Sequence, residues 1–239
     1  DREGRKLKDN GHIVQSTNDI LYLLDLYKAK ATFFVVAEIY DWYPSLVQEI
    51  EARGHEIAFH TYDHPLPIKD NAELDNQIKI SKKFLSRFKP KGFRAPLLNA
   101  KISFFPTLKK HFLYDSSLYH YQSFEMYGVK EIPVSTIPFI KRKPYLPKHL
   151  NLKLIAGEFP FGSGYCIGLF GKGISHLVRY EEKKGHSCVL FFHPWQIQPP
   201  PSEFMEKTFL LTHPKWIPYS LNIRETVIHL LKNFFIEGV

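Results

Sequence analysis

Between Ala31 and Val36 the chain reads Ala-Thr-Phe-Phe-Val-Val, almost without a polar side chain. A run of this kind suits a strand covered on both faces in a parallel sheet, since a half-wet strand alternates instead. Helical patterns flank it. Ile20, Leu21, Leu23, Leu24 and Tyr27 form one apolar face, with Ser16 or Thr17 as the expected N-cap. Pro44 to Ala52 forms another through Leu46, Val47 and Ile50, closed by Gly54. A strand is expected to follow and to end at His60, then a helix from Ala72 to Phe88 and a short strand from Lys91 to Arg94. A helical piece around Phe104–His111 and a strand over Phe112–Asp115 continue the pattern. This alternation predicts an α/β fold with a parallel sheet, open or closed.

From Tyr119 to Tyr165 the chain is rich in Pro, Tyr, Phe and Gly and lacks a long helical period, so short strands and loops are expected there. A helix near Leu169–Lys183, a strand over Ser187–Phe192 and an amphipathic helix over Ile223–Phe235 complete the reading, with an extended loop at Pro199-Pro200-Pro201. No composition break divides the chain, which predicts a single domain over 1–239. Cys166 and Cys188 are far apart and outside any CxxC spacing, which implies neither a disulfide framework nor a cysteine metal site; Cys188 is expected to be buried. No segment reaches the roughly 18 apolar residues of a membrane span, and no signal peptide is visible in the residues given, which leaves the compartment open between cytoplasm and cell envelope.

The net charge of +8 sits partly in three basic runs, Arg2 to Lys8, Lys79 to Lys91 and Lys141 to Lys148. None has the stripe of basic and aromatic residues that nucleic-acid binding calls for. A solvated basic surface is expected, with loose association to an anionic polymer or surface as the alternative.

The chemistry concentrates at strand ends. His60-Thr61-Tyr62-Asp63-His64 places two imidazoles four residues apart just past a strand, able to meet at one metal ion if the chain makes a helical turn that Pro65 then stops. With a carboxylate from elsewhere, such a pair leaves an open coordination position. Arg94, Asp115 and His193 each stand where another strand is expected to stop, and the carboxyl ends of parallel strands are where such folds build sites.

These residues, in this order, resemble a known family. Ala31-Thr32-Phe33-Phe34, the His60–His64 stretch, Arg94-Ala95-Pro96, Tyr114-Asp115-Ser116-Ser117 and Phe191-Phe192-His193-Pro194-Trp195 are similar to the ordered motifs of polysaccharide deacetylases with the NodB homology domain, carbohydrate esterase family 4. Gly162-Ser163-Gly164-Tyr165 and the His-Pro-Trp ending look like the subgroup whose first motif reads Asp-x-Glu or Asp-x-Asp. The resemblance implies a distorted (β/α) barrel with fewer than eight complete units. It implies removal of N-acetyl groups from an amino sugar or polysaccharide, with release of acetate. By resemblance, His60 and His64 bind Zn²⁺ or another divalent ion such as Co²⁺, Ni²⁺ or Mn²⁺. His193 is the general acid, Asp115 orients it, and Arg94 holds the catalytic aspartate. Leu97 stands where the family has an aromatic residue and supplies a backbone N–H to the oxyanion. Tyr165, Trp195 and Phe161 are candidates for stacking on sugar rings.

The first motif is where the chain departs. Only Asp1 (as base) and Glu3 (as metal ligand) fit Asp-x-Glu, and no apolar strand precedes them, so the first strand and its acids are expected upstream of residue 1 or missing. Two other readings stay open: a non-catalytic carbohydrate-binding protein on the same scaffold, and a metal-independent C–N hydrolase of the allantoinase-like branch.

Overall fold

The structure is a computed structural model that describes residues 9–139, 152–199, 217–234 and 236–238. The chain forms two compact units, residues 30–160 with 238–239, and residues 1–29 with 161–237.

The first unit is built on a sheet. Its elements are β1 (Thr32–Val35), α2 (Ala37–Trp42), α3 (Pro44–Ala52), β2 (Glu56–Phe59), α4 (Asn71–Ile80), α5 (Lys82–Phe88), β3 (Gly92–Phe93), α6 (Phe105–His111) and β4 (Tyr114–Asp115), the number α1 belonging to the helix that precedes β1 in the chain. Then come β5 (Tyr119–His120), β6 (Phe124–Met126), β7 (Val129–Glu131), β8 (Val134–Ser135), β9 (Ile137–Pro138), α7 (Leu152–Gly157) and β10 (Glu158–Phe159). Six strands pair in the order β1-β2-β3-β4-β7-β6, parallel from β1 through β7, with β6 antiparallel at the edge. The α/β class with a parallel sheet is therefore the one observed, and its continuous apolar strand is β1.

Aromatic packing fills the layer between sheet and helices. Phe59 and Phe93, from neighbouring strands, stack on Phe112 with ring centroids 5.6 and 5.5 Å away, and Phe59 meets Phe84 of α5 at 6.1 Å. Gly92 admits the Tyr114 ring from the paired position on β4; a Cβ there would lie 2.1 Å from the ring. The backbone cannot yield without breaking the ladder, so Gly92→Ala is expected to lower stability by about 1–3 kcal/mol in urea unfolding, as overpacking does.

Several boundaries move for identifiable reasons. The expected helix over 72–88 breaks at Ser81, whose hydroxyl bonds back to the Gln77 carbonyl at 2.8 Å and competes with the helical ladder. Helix α2 lies between β1 and α3, where the sequence reading placed no element. The strands β3 and β4 shorten to two residues each.

The second unit contains α1 (His12–Leu26), α8 (Gly164–Phe170), α9 (Ile174–Glu182), α10 (Ile217–Ser220) and α11 (Arg224–Asn233). Helix α1 starts before Ser16 and Thr17, which lie inside it and are buried; its N-cap is Gly11, and the Asp9 carboxylate accepts from the Ile13 N–H at 3.1 Å. Helix α8 begins ahead of the helix expected near Leu169, and Ser163 caps it by accepting from the Cys166 N–H at 3.1 Å. No strand is described over Ser187–Phe192, where one was expected; the Phe191 N–H bonds to the Gly162 carbonyl at 2.9 Å. Both cysteines are free thiols; Cys188 is half-buried, not buried, and that partial burial still pushes its thiol up to about 12.

Candidate metal centre and deacetylase site

Strand β2 ends at Phe59, and the sheet fixes one residue more, because the His60 N–H donates to the Val35 carbonyl at 3.0 Å. The expected helical turn does not follow. Thr61 and His64 take left-handed φ values of 63° and 56°, a conformation that costs about 1–3 kcal/mol per non-glycine residue unless the surroundings hold it. Here they do. Buried Gln77 on α4 accepts from the Tyr62 and Asp63 N–H groups at 2.8 and 3.3 Å, and its amide donates to the Asp63 carboxylate at 2.9 Å. The Thr61 and Tyr62 carbonyls accept from the first N–H groups of α2, Ala37 and Glu38, each at 2.9 Å. The turn thus caps a helix whose first donors need partners anyway. The helical expectation failed because side-chain and helix-end partners offered these peptide groups a better set of bonds.

The result brings the two rings together. The His60 and His64 centroids lie 4.8 Å apart at an interplanar angle of 69°. The His60 Nδ1 sits 2.6 Å from the Arg94 carbonyl. A carbonyl can only accept, so Nδ1 carries the hydrogen and Nε2 keeps its lone pair, the arrangement of a metal-ligating histidine oriented from behind. Burial lowers the pKa of His64, which keeps that ring neutral and able to donate electrons as well. The pair fits two imidazole ligands of a divalent cation. Among the described residues no group of three His, Cys, Asp or Glu gathers, and Asp1 and Glu3 lie outside the described residues.

Arg94 follows β3 and belongs to the same edge. Its Nε donates to the Ser116 carbonyl at 2.7 Å, its Nη2 to the Ser116 hydroxyl at 2.6 Å, and its guanidinium lies 4.0 Å from the Phe34 ring centroid. Burial lowers its pKa to about 10, which leaves it charged at neutral pH. One residue thus orients His60 through its carbonyl and ties β3 to β4 through its side chain. Leu97 and Leu98 continue with φ values of 58° and 51°. Left-handed geometry at two adjacent leucines is strained, and it sets the Leu97 peptide at an unusual angle beside a side chain that is 42% exposed.

Asp115 closes the edge at the end of β4, fully buried. It accepts from the Ser117 hydroxyl at 2.6 Å and the Ser117 N–H at 3.2 Å. Beside it, in register across the parallel β4–β7 pair, stands Glu131, which sequence reasoning missed. Glu131 Oε1 accepts from the Leu118 N–H at 3.0 Å, and Oε2 meets no donor among the described residues. A proton on Oε2 resolves both problems, because a neutral Glu131 can donate to Asp115. Burial raises the pKa of Glu131 well above its ordinary value, and the adjacent Asp115 charge raises it further. Asp115 is also raised by burial, with Ser117, Glu131 and the Arg94 charge opposing the rise. Burial therefore biases both carboxyls toward their protonated forms, Glu131 the more strongly. The signal was there to read: in Val129-Lys130-Glu131 the strand alternation buries Glu131 and exposes Lys130.

His60, Arg94 and Asp115 thus stand at the carboxyl ends of adjacent parallel strands, as their sequence positions implied. His193 belongs to the second unit. It enters the short helical turn Pro194–Gln196, donates its N–H to Gln196 Oε1 at 3.1 Å, and stacks on Trp195 at a centroid distance of 4.2 Å. Gln196 is buried and donates to the Gly164 carbonyl at 3.0 Å, which fixes the turn against α8. Tyr219 lies edge-on to His193 at 5.5 Å and to Tyr165 at 5.7 Å. One face of the Trp195 indole is thus taken by imidazole. Phe161 is fully buried, which rules it out as a sugar platform.

A family model described as polysaccharide deacetylase matches residues 8–111. Over 92 residues the chain is 38% identical to a peptidoglycan-N-acetylglucosamine deacetylase of Bacillus cereus, a stretch that covers 37% of this chain and 34% of that protein. Over 93 residues it is 33% identical to a chitooligosaccharide deacetylase of Azorhizobium caulinodans, covering 37% and 44% respectively. The chain therefore spans less than half the length of these curated relatives. Among solved structures, a candidate polysaccharide deacetylase from Mycobacterium smegmatis matches 93% of this chain and 73% of its own at a TM-score of 0.60 and 20% identity. The Puue allantoinase matches 91% and 72% at 0.52 and 17%. Those two likenesses show the fold alone, the α/β fold of the deacetylase barrels. The matched segment carries the continuous apolar strand, the His60–His64 turn and the Arg94 edge, and over that segment the chain is similar to NodB-type polysaccharide deacetylases.

Proposed function

We propose that the chain is a metal-dependent hydrolase that removes N-acetyl groups from an amino-sugar polymer, working as one domain over 1–239. The observation that carries this reading is the His60–His64 pair, with Nδ1 of His60 bonded to the Arg94 carbonyl and a neutral His64 ring beside it. Two such imidazoles, with a carboxylate for which Glu3 is the sequence candidate, would hold Zn²⁺ or a similar divalent ion. Bound there, the ion supplies Lewis acidity toward the amide carbonyl and lowers the pKa of water.

The residues of the chain do the rest. Arg94 presents a fixed positive charge to the catalytic aspartate, for which Asp1 is the candidate. The Leu97 N–H is the proposed donor to the developing oxyanion. An amide nitrogen leaves only once protonated, and the resemblance assigns that proton to His193 and the orientation of His193 to Asp115. Tyr165 and the outward face of Trp195 are the proposed sugar contacts. The named relatives act on peptidoglycan and chitooligosaccharide, so N-acetylated glycan is the proposed substrate class.

The test is metal removal. Dialysis against a chelator is expected to stop acetate release from N-acetylglucosamine oligomers, and Zn²⁺ or Co²⁺ to restore it. Undiminished release from protein with no detectable metal would instead place the chain with metal-independent hydrolases.

A further inference from the structure

The basic run from Lys79 to Lys91 divides into two sets. Lys83 pairs with Asp41 at 2.9 Å and Arg87 with Glu51 at 2.7 Å. Lys79, Lys82 and Lys89 do not pair with any acid among the described residues. They converge instead on an open groove of about 510 Å³, joined there by Lys110 and His111 from the end of α6. Ile78, Leu85, Pro90 and Phe112 form its floor, and no Asp or Glu lines it. The groove lies where the chain enters β3 and β4, whereas His60, Arg94 and Asp115 lie where it leaves β2, β3 and β4. It is therefore on the opposite edge of the sheet from the candidate metal centre.

We propose that this groove binds a linear anionic polysaccharide, a glycan chain bearing carboxylate or phosphate groups. The ends of α4, α5 and α6 meet there, each adding about half a negative charge, and four ammonium groups more than offset them. The lysines are exposed, and a single exposed ion pair contributes about 0–1 kcal/mol. One small anion would gain little, whereas a polymer engages several ammonium groups at once. A bilayer does not fit, because the apolar residues form a concave floor and do not project as a membrane-inserting face does. Single-stranded nucleic acid does not fit either. Base stacking needs an open aromatic face, and the Phe112 ring, the single aromatic side chain apart from His111, is buried and stacked on Phe59 and Phe93.

The experiment uses the full chain with polygalacturonate as probe, and neutral dextran, duplex DNA and anionic phospholipid vesicles as comparisons, titrated at several salt concentrations. The triple variant Lys79→Glu, Lys82→Glu, Lys110→Glu is expected to bind polygalacturonate at least about tenfold more weakly. Its salt dependence should flatten by roughly two to three units of log–log slope, one per lost ion contact. Should the reversals unfold the chain, judged by circular dichroism, the Gln versions give the same comparison. Unchanged affinity in the folded variant overturns the proposal, as does binding of DNA or vesicles as tight as that of polygalacturonate. A variant that loses melting temperature but no affinity also overturns it, and shows that the lysines serve only the helix ends. Acetate release from a short neutral oligomer is read separately, so failure here and failure of the deacetylase reading are distinct.

Discussion

His60→Ala and His64→Ala are each expected to reduce bound Zn²⁺ from about one ion per chain to near zero and to cut acetate release at least about 100-fold together. Second-shell changes alone typically cost 10–100-fold in metal affinity or activity, and loss of a ligand exceeds that. The two variants should behave alike, because the rings are 4.8 Å apart and each is half of the described ligand set. Folding should survive. The bond lost in His60→Ala, from Nδ1 to the Arg94 carbonyl, is worth about 1 kcal/mol. The turn itself is held by Gln77, Thr61 and the start of α2, which neither change touches. Metal content by plasma emission and acetate by coupled assay are read on the same preparation. Retention of full metal in both variants would show that the ions bind elsewhere.

The second large effect lies at Glu131. Glu131→Ala removes the acceptor of the Leu118 N–H, opens a cavity beneath the sheet and leaves Asp115 without its neutral neighbour, for an expected loss of about 2–4 kcal/mol. Glu131→Gln is expected to keep the fold, since an amide can accept from Leu118 and donate to Asp115. The two separate most clearly with pH. The folded pair binds more protons than the unfolded chain, because burial raises the pKa of both carboxyls. Its contribution is therefore fully present below the ordinary glutamate value of about 4.3 and is lost progressively as pH rises toward the folded pKa. Glu131→Gln removes that proton from the balance. Urea midpoints at pH 5 and pH 8 should show the Gln variant gaining on the wild type as pH rises. A constant difference between the two would mean that Glu131 is ionised in the folded protein.

How much of this was legible in advance depends on the range of the interaction. The apolar run of β1, the amphipathic face of α3 and the histidine spacing after β2 are local patterns. They were enough for the fold class, because strand burial and helix periodicity are written within windows of a few residues. The order of the strand ends was legible too, since a parallel sheet places successive carboxyl ends along one edge.

Interactions between distant segments decided the rest. The chain alone suggested a helical turn at His60–His64; Gln77, some fourteen residues on, selects a left-handed one by bonding its peptide groups. Ser187–Phe192 read as a strand from its apolar run, yet no strand is described there, and the Phe191 N–H goes to the Gly162 carbonyl instead. Glu131 read as one acid among many until the β4–β7 register set it against Asp115 in a fully buried place. The sequence by itself determined which residue types stand at which strand ends. Only the tertiary structure decided which hydrogens they carry, because protonation and tautomer follow from neighbours that the chain brings in from afar.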